Sequence, residues 1–286
     1  MNFNFGFFDY EPFQRLDSLY PQSFSLSQFG GFARWRNKFN FLEVGFDGLT
    51  LKDAMEQKET YLKHIKAENL NFGASLPFYR SVYGKVWQYV WHSVGEKQKR
   101  KFRELNRKMV KTHMELFAAF SPEYIAIIPN RPGIFFTPQQ EKAFWKKLDY
   151  IVELAKALSL KLIIRTGGIK LNLLREVLKK YTRIELNLDL QNIHLEGLDF
   201  FKVFKEFQTK IKVVSLAQTL QGRALYLPLE HKGVFNFISL FHFLKKEGIP
   251  THVLLSLKPS FKDINYLMEN LIPADYNRLL SKSKCF

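Results

Sequence analysis

The stretch TPQQEKAFWKKLDYIVELAKALSLKLIIR, residues 137–165, decides how the chain is read. Thr137 is a capping residue. Pro138 suits the first helical position, where no N–H is needed, and Gln140 stands at the third, where its side chain reaches back to the cap. Phe144, Leu148, Ile151, Ala155 and Leu158 then recur at the spacing of one helical face. Lys161 to Arg165 follows as a short apolar strand, broken by Gly167-Gly168. A helix feeding a strand that is apolar on both faces is part of a parallel βαβ unit.

The same alternation extends both ways. Strands are predicted at Asn2 to Phe8, Asn40 to Phe46, Leu70 to Leu76, Tyr124 to Ile128, Lys161 to Arg165, Ile184 to Leu188, Ile211 to Leu216 and Thr251 to Leu257. Helices are predicted from Ser25 or Ser27 to Asn37, Thr50 to Glu68, Glu96 to Phe120, Leu171 to Tyr181, Leu198 to Phe207 and Val234 to Glu247, with a last one opening at Ser260. Eight strands alternating with helices imply an α/β fold, a single (β/α)8 TIM-type barrel over residues 1–286. An aromatic, basic helical insertion follows the third strand, at roughly residues 78–120. The chain has 286 residues, and a barrel of this kind needs about 250, so one domain fits better than two. A doubly wound open sheet is the competing topology. It carries a glycine-rich turn after an early strand when it binds a dinucleotide, and Gly30-Gly31 is not in that context.

Composition narrows the function classes. No run of 18 apolar residues is present, so no membrane span is expected. The start, Met-Asn-Phe-Asn-Phe-Gly, lacks the basic region of a signal peptide. The single cysteine, Cys285, has no internal disulfide partner, and a reducing, cytoplasmic setting is the simplest expectation. Lysine and arginine number 43 against 27 acids, a net charge of +16, which favours an anionic partner or serves solubility.

In a barrel, chemistry sits where strands run into the following loops. Those positions hold Asn130, Arg131, Arg165, Asp189 and Lys258, while Glu43 lies inside the second strand and can point inward. Arg165 offers a planar fork to a carboxylate or phosphate, or pairs internally with Glu43 or Asp189. Asp189 can act as a base, ligate a metal, orient Arg165 or cap the following loop. His231 precedes a helix start and is an acid–base candidate. None of the 7 histidines falls at metal-ligand spacing, so no metal and no cofactor are expected. In the insertion, Lys97, Lys99, Arg100, Lys101 and Arg103 follow Trp87, Tyr89 and Trp91, a combination that can hold phosphates and stack bases of nucleic acid.

Several segments taken in order resemble the YecE-like barrel family, a group without a known activity. They are Leu19-Tyr20-Pro21 after the first strand, Phe39-Asn40-Phe41-Leu42-Glu43 in the second, the proline of Ile127-Ile128-Pro129, Arg165 closing the fifth strand and Asp189 closing the sixth. A second resemblance is to xylose-isomerase-like barrels, which include sugar-phosphate isomerases and abasic-site endonucleases. Those enzymes bind metals through strand-end histidines and carboxylates. The matching places here hold Ser75, Ile128, Arg165 and Ser256, with Asp189 alone retained. The resemblance thus implies a barrel without the metal. The expected function is a metal-independent barrel binding a small anionic ligand, with Glu43 and Asp189 as acid–base groups and Arg165, Arg131, Asn130, Lys258 and His231 as ligand contacts. Hydrolysis or isomerisation is the expected chemistry. A nucleic-acid-binding module and a non-catalytic barrel are the alternatives.

Overall fold

A computed structural model describes residues 4–9, 41–45, 58–67, 72–77, 96–129, 136–166, 169–216, 235–247 and 252–255. The strands are β1 (Asn4–Asp9), β2 (Phe41–Gly45), β3 (Phe72–Pro77), β4 (Ile125–Ile128), β5 (Leu162–Arg165), β6 (Glu185–Asp189), β7 (Ile211–Leu216) and β8 (His252–Leu255). The helices are α1 (Lys58–Ala67), α2 (Glu96–Phe120), α3 (Pro138–Ala157), α4 (Leu171–Lys180), α5 (Leu190–Leu195), α6 (Phe200–Phe207) and α7 (Phe237–Glu247). The strands pair in parallel in chain order, and β8 pairs back with β1, Asn4 beside His252 and Gly6 beside Leu254. The architecture is an α/β TIM-barrel-like fold, as the alternation of strands and helices leads one to expect. The predicted helices from Ser25 to Asn37 and from Ser260, and the aromatic segment Tyr79 to His92, lie outside the described residues.

The α3 unit forms for the reasons its sequence offers. Thr137 Oγ1 accepts the N–H of Gln140 at 3.3 Å, and Gln140 Oε1 accepts the N–H of Thr137 at 2.9 Å, a reciprocal capping box with Pro138 just inside it. Phe144, Leu148, Ile151 and Ala155 turn inward and are buried. One helix was not expected. Asp189 ends β6 and at once caps α5, accepting the N–H of Gln191 at 3.1 Å and of Asn192 at 3.3 Å. His194, which the sequence places in a loop, is therefore helical and packs edge-on against Phe235.

Alternation along the strands sorts side chains into two layers. Ile125, Ile127, Ile164, Leu186, Leu188, Val214 and Val253 face outward and join Phe117, Leu148, Val177 and Phe204 of the helices in the main core. Tyr124, Ala126, Ile163, Val213 and Leu254 make a separate cluster on the opposite side, inside the ring. By the same period of two, Glu43, Gly73, Ser75, Arg165, Asn187, Asp189, Ser215 and His252 belong to the interior set. The interior is thus apolar in part and polar over a continuous arc.

Candidate active site in the barrel interior

The arc begins at β3. Gly73 stands between Glu43 of β2 and the start of β4, where the N–H of Ala74 bonds to the carbonyl of Tyr124 at 2.9 Å. A Cβ on Gly73 would lie 2.5 Å from Tyr124 Cζ, so only glycine lets the phenol ring cross β3. The ring reaches β2, and its hydroxyl donates to Glu43 Oε2 at 2.8 Å. Both side chains are buried. Burial pushes the Glu43 carboxyl up from 4.5 to about 7, against the opposing pull of the Arg165 charge and the Tyr124 hydrogen bond. Burial first, and then the neighbouring Glu43, drive the Tyr124 phenol well above its ordinary range. Glu43 Oε1 is buried and has no hydrogen-bond partner.

Across the interior, Arg165 closes β5. Its Nε and Nη2 approach Asp189 Oδ2 at 2.8 and 2.7 Å. The pair is 3% and 1% exposed, so it is an ion pair withdrawn from water. Asp189 Oδ1 is committed to the α5 cap, and its N–H donates to Thr166 Oγ1 at 2.8 Å. Beside it, Ser215 Oγ donates to Asn187 Oδ1 at 2.8 Å, leaving the buried Asn187 Nδ2 without a partner. Asn192, buried on α5, has neither amide atom bonded. Buried polar groups are normally satisfied, so such atoms mark places where a ligand or water completes the set.

At the other end of the barrel, Glu123 just precedes β4 and meets His252 Nε2 at 2.8 Å and Lys212 Nζ at 2.7 Å. The hydrogen bond from His252 leads the causes that hold its carboxyl down near 2. This cluster ties β4, β7 and β8 together at the base.

Of the residues singled out from sequence, Glu43, Arg165 and Asp189 share the interior. Arg165 pairs with Asp189, one of the two partners considered for it, and Asp189 both orients Arg165 and caps. Asn130, Arg131, His231 and Lys258 lie outside the described residues, as do the side chains of Lys97 and Lys99. Arg100, Lys101 and Arg103 are exposed on α2, away from the interior. Sequence reading missed Tyr124, Asn187, Ser215 and the Glu123–His252–Lys212 cluster. The signal was the period of two: Tyr124 shares parity with Ala126, and Ser215 with Val213.

Residues 36–271 match the family described as xylose isomerase-like TIM barrel (AP_endonuc_2). The fold is a strand ring with an interior site at its core, and the chain belongs to the xylose isomerase-like TIM barrel family. No curated protein matches the chain. Among solved structures, it is similar to a D-tagatose 3-epimerase-like protein (15% identity, 99% of this chain and 100% of that one, TM-score 0.66). It is also similar to the IolI protein with a bound zinc atom (12% identity, 93% and 96%, TM-score 0.61). A third is an AP endonuclease, family 2, from Brucella melitensis (14% identity, 85% and 90%, TM-score 0.56). At these identities the likeness shows the fold.

These findings correct the YecE-like assignment. Its motifs were short, and three of their residues have partners within the barrel: Glu43 is held by Tyr124, and Arg165 and Asp189 hold each other. The xylose-isomerase-like resemblance is the one that stands. Among the described residues, the interior side chains do not fit the metal that the family resemblance brings with it. Asp189 is engaged by a fixed guanidinium cation, Glu43 titrates near neutrality beside a phenol, and Ser75 and Ser215 offer neutral hydroxyls. Among the described residues no group of three His, Cys, Asp or Glu side chains can hold a metal ion, and no helix is long and apolar enough to cross a membrane.

Proposed function

We propose that the polar arc binds a small ligand bearing a carboxylate or phosphate on a sugar-like carbon skeleton, and that Glu43 transfers a proton on it without a metal. One observation carries this reading. Glu43 is a buried carboxyl near pH 7 with Oε2 held by Tyr124 and Oε1 unbonded. A general acid–base works best with its pKa near the operating pH. Among the solved structures of like fold are L-ribulose 3-epimerase and 3-keto-D-glucoside 4-epimerase. Epimerisation beside a carbonyl begins with loss of a proton, which such a carboxyl can accept, and solvent supplies the proton returned to the other face. In this reading Asn187 Nδ2 and Arg165 orient the ligand. Asn130, Arg131, His231 and Lys258 supply contacts at the rim, and Asp189 serves through Arg165.

The test incubates the protein with ketoses, ketose phosphates and short keto acids in D2O and follows deuterium entry at the carbon beside the carbonyl by NMR. Glu43→Gln is expected to abolish exchange while the ligand still raises the melting temperature. Exchange that survives the substitution overturns the role of Glu43. A second reading has its own support: the Arg165 charge is already matched by Asp189, as in a barrel that binds without turnover. Ligand-induced stabilisation with no exchange in the unaltered protein would favour it.

A further inference from the structure

Outside the barrel interior, α2 and α3 pack side by side and leave a groove of about 910 Å³ between them. Arg100, Arg103 and Arg107 line it from α2, and Lys142, Lys146 and Lys147 line it from α3. Glu104 is the one carboxylate among its described lining residues, and Arg100 Nε stands 4.0 Å from it. Among the described lining residues, six cations against one acid concentrate positive charge on two facing walls. Arg103, Arg107, Lys142 and Lys146 are all exposed on the groove side, whereas the apolar faces of both helices turn to the core.

Their order is regular. Arg100, Arg103 and Arg107 fall on one face, with rises of about 4.5 and 6 Å between successive guanidinium-bearing residues, and Lys142 and Lys146 rise by about 6 Å on the other wall. The Arg107 guanidinium lies 5.6 Å from the centroid of the Tyr150 ring, and the Tyr150 hydroxyl donates to the Arg107 carbonyl at 3.4 Å. That contact holds one arginine over an aromatic face.

We infer that the α2–α3 groove is a binding site for single-stranded nucleic acid, with the two rows of cations flanking one phosphate backbone. Periodic positive charge matches the periodic charge of a phosphate backbone. Arginine forks suit phosphate oxygens. The volume is of the size of a few nucleotides of one strand. The net charge of +16 draws such a strand in from a distance. The site is separate from the interior and does not depend on the function proposed for Glu43.

The experiment measures fluorescence anisotropy of a labelled single-stranded oligonucleotide of about 12 nucleotides, within the site sizes of single-strand binders. Three proteins are compared: the unaltered chain, a groove variant (Arg103→Glu with Lys146→Glu) and a control with the same change in net charge on exposed residues of α4 and α6 (Lys179→Glu with Lys202→Glu). Circular dichroism melts establish that each is folded. Should the groove variant fail to fold, Arg103→Gln with Lys146→Gln takes its place. At about 50 mM salt the groove variant is expected to lose at least tenfold in affinity and the control less than about twofold. The slope of log affinity against log salt should shallow by about 1.4 for two lost phosphate contacts. Equal loss in both variants would reduce the effect to net charge and overturn the site. So would absence of binding by the unaltered chain, or displacement of the oligonucleotide by poly-L-glutamate of equal charge as readily as by unlabelled oligonucleotide.

Discussion

Arg165 and Asp189 form a pair that is costly to break from one side only. Removing the guanidinium leaves a carboxylate 1% exposed without its cation, whereas Oδ1 keeps its two α5 N–H donors. A buried charge stripped of its partner destabilises by about 3–5 kcal/mol, while replacing both members is often close to neutral. Arg165→Met is therefore expected to lower the urea midpoint sharply, and Arg165→Met with Asp189→Asn to recover most of the loss, since asparagine also caps helices. A single variant as stable as the unaltered protein would show that the pair contributes nothing to folding and would return Arg165 wholly to ligand binding.

At the scale of elements, β2, β3 and β4 work as one device, because a tyrosine at the edge of β4 reaches β2 only through the gap at Gly73. Gly73→Ala places a methyl 2.5 Å from the Tyr124 ring, which is fully buried and has no flexible end to swing away. Overpacking of this kind costs about 1–3 kcal/mol. The displaced hydroxyl also leaves Glu43, whose carboxyl should then titrate above about 7, because the Tyr124 hydrogen bond is one of the two influences lowering it. Infrared detection of the protonated carboxyl against pH reads this shift, and an unchanged titration would contradict the geometry. Such devices were hard to read in the sequence. Helices α2, α3 and α4 and strand β7 were legible to within a residue or so, because caps and period 3.6 or continuous apolar runs are local signals. Glu43 was legible as an inward residue for the same reason. The Tyr124–Glu43 bond was not, since it joins residues 81 apart through a glycine whose importance lies in what passes over it. Helix α5 escaped because it spans six residues and starts on the very aspartate read as a strand-end acid. The α3 wall of the basic groove escaped because Lys142, Lys146 and Lys147 look like the solvent face of an amphipathic helix until α2 is laid beside them.

For the whole molecule, carboxyls with opposite shifts, Glu43 and Glu123 foremost, shape stability against pH. Glu43 is raised from 4.5 to about 7 on folding, so its contribution is fully present below about 4.5 and is lost as pH rises through about 7. A shift of that size corresponds to roughly 3 kcal/mol. Glu123 is lowered from 4.5 to about 2, so its contribution is present above about 4.5 and is lost as pH falls through about 2. The melting temperature should therefore fall between about pH 4.5 and pH 7, and Glu43→Gln should make that limb shallower, with the share of Glu196, raised by burial to about 7, remaining, while leaving the acid limb in place. A slope unchanged in the variant would move its origin away from Glu43.

The pairing of Asn4 with His252 carries a consequence for how the molecule comes into being. During synthesis β1 leaves the ribosome before the other strands of the ring, yet one of its two neighbours, β8, is the last of the eight to emerge. Until residue 255 has emerged, every nascent intermediate has two unsatisfied strand edges, one on β1 and one on the most recent strand to dock. Such edges invite pairing with other chains. Premature termination anywhere upstream of β8 should thus yield sticky fragments rather than a smaller stable domain, and the last few translated strands hold the seam for the whole.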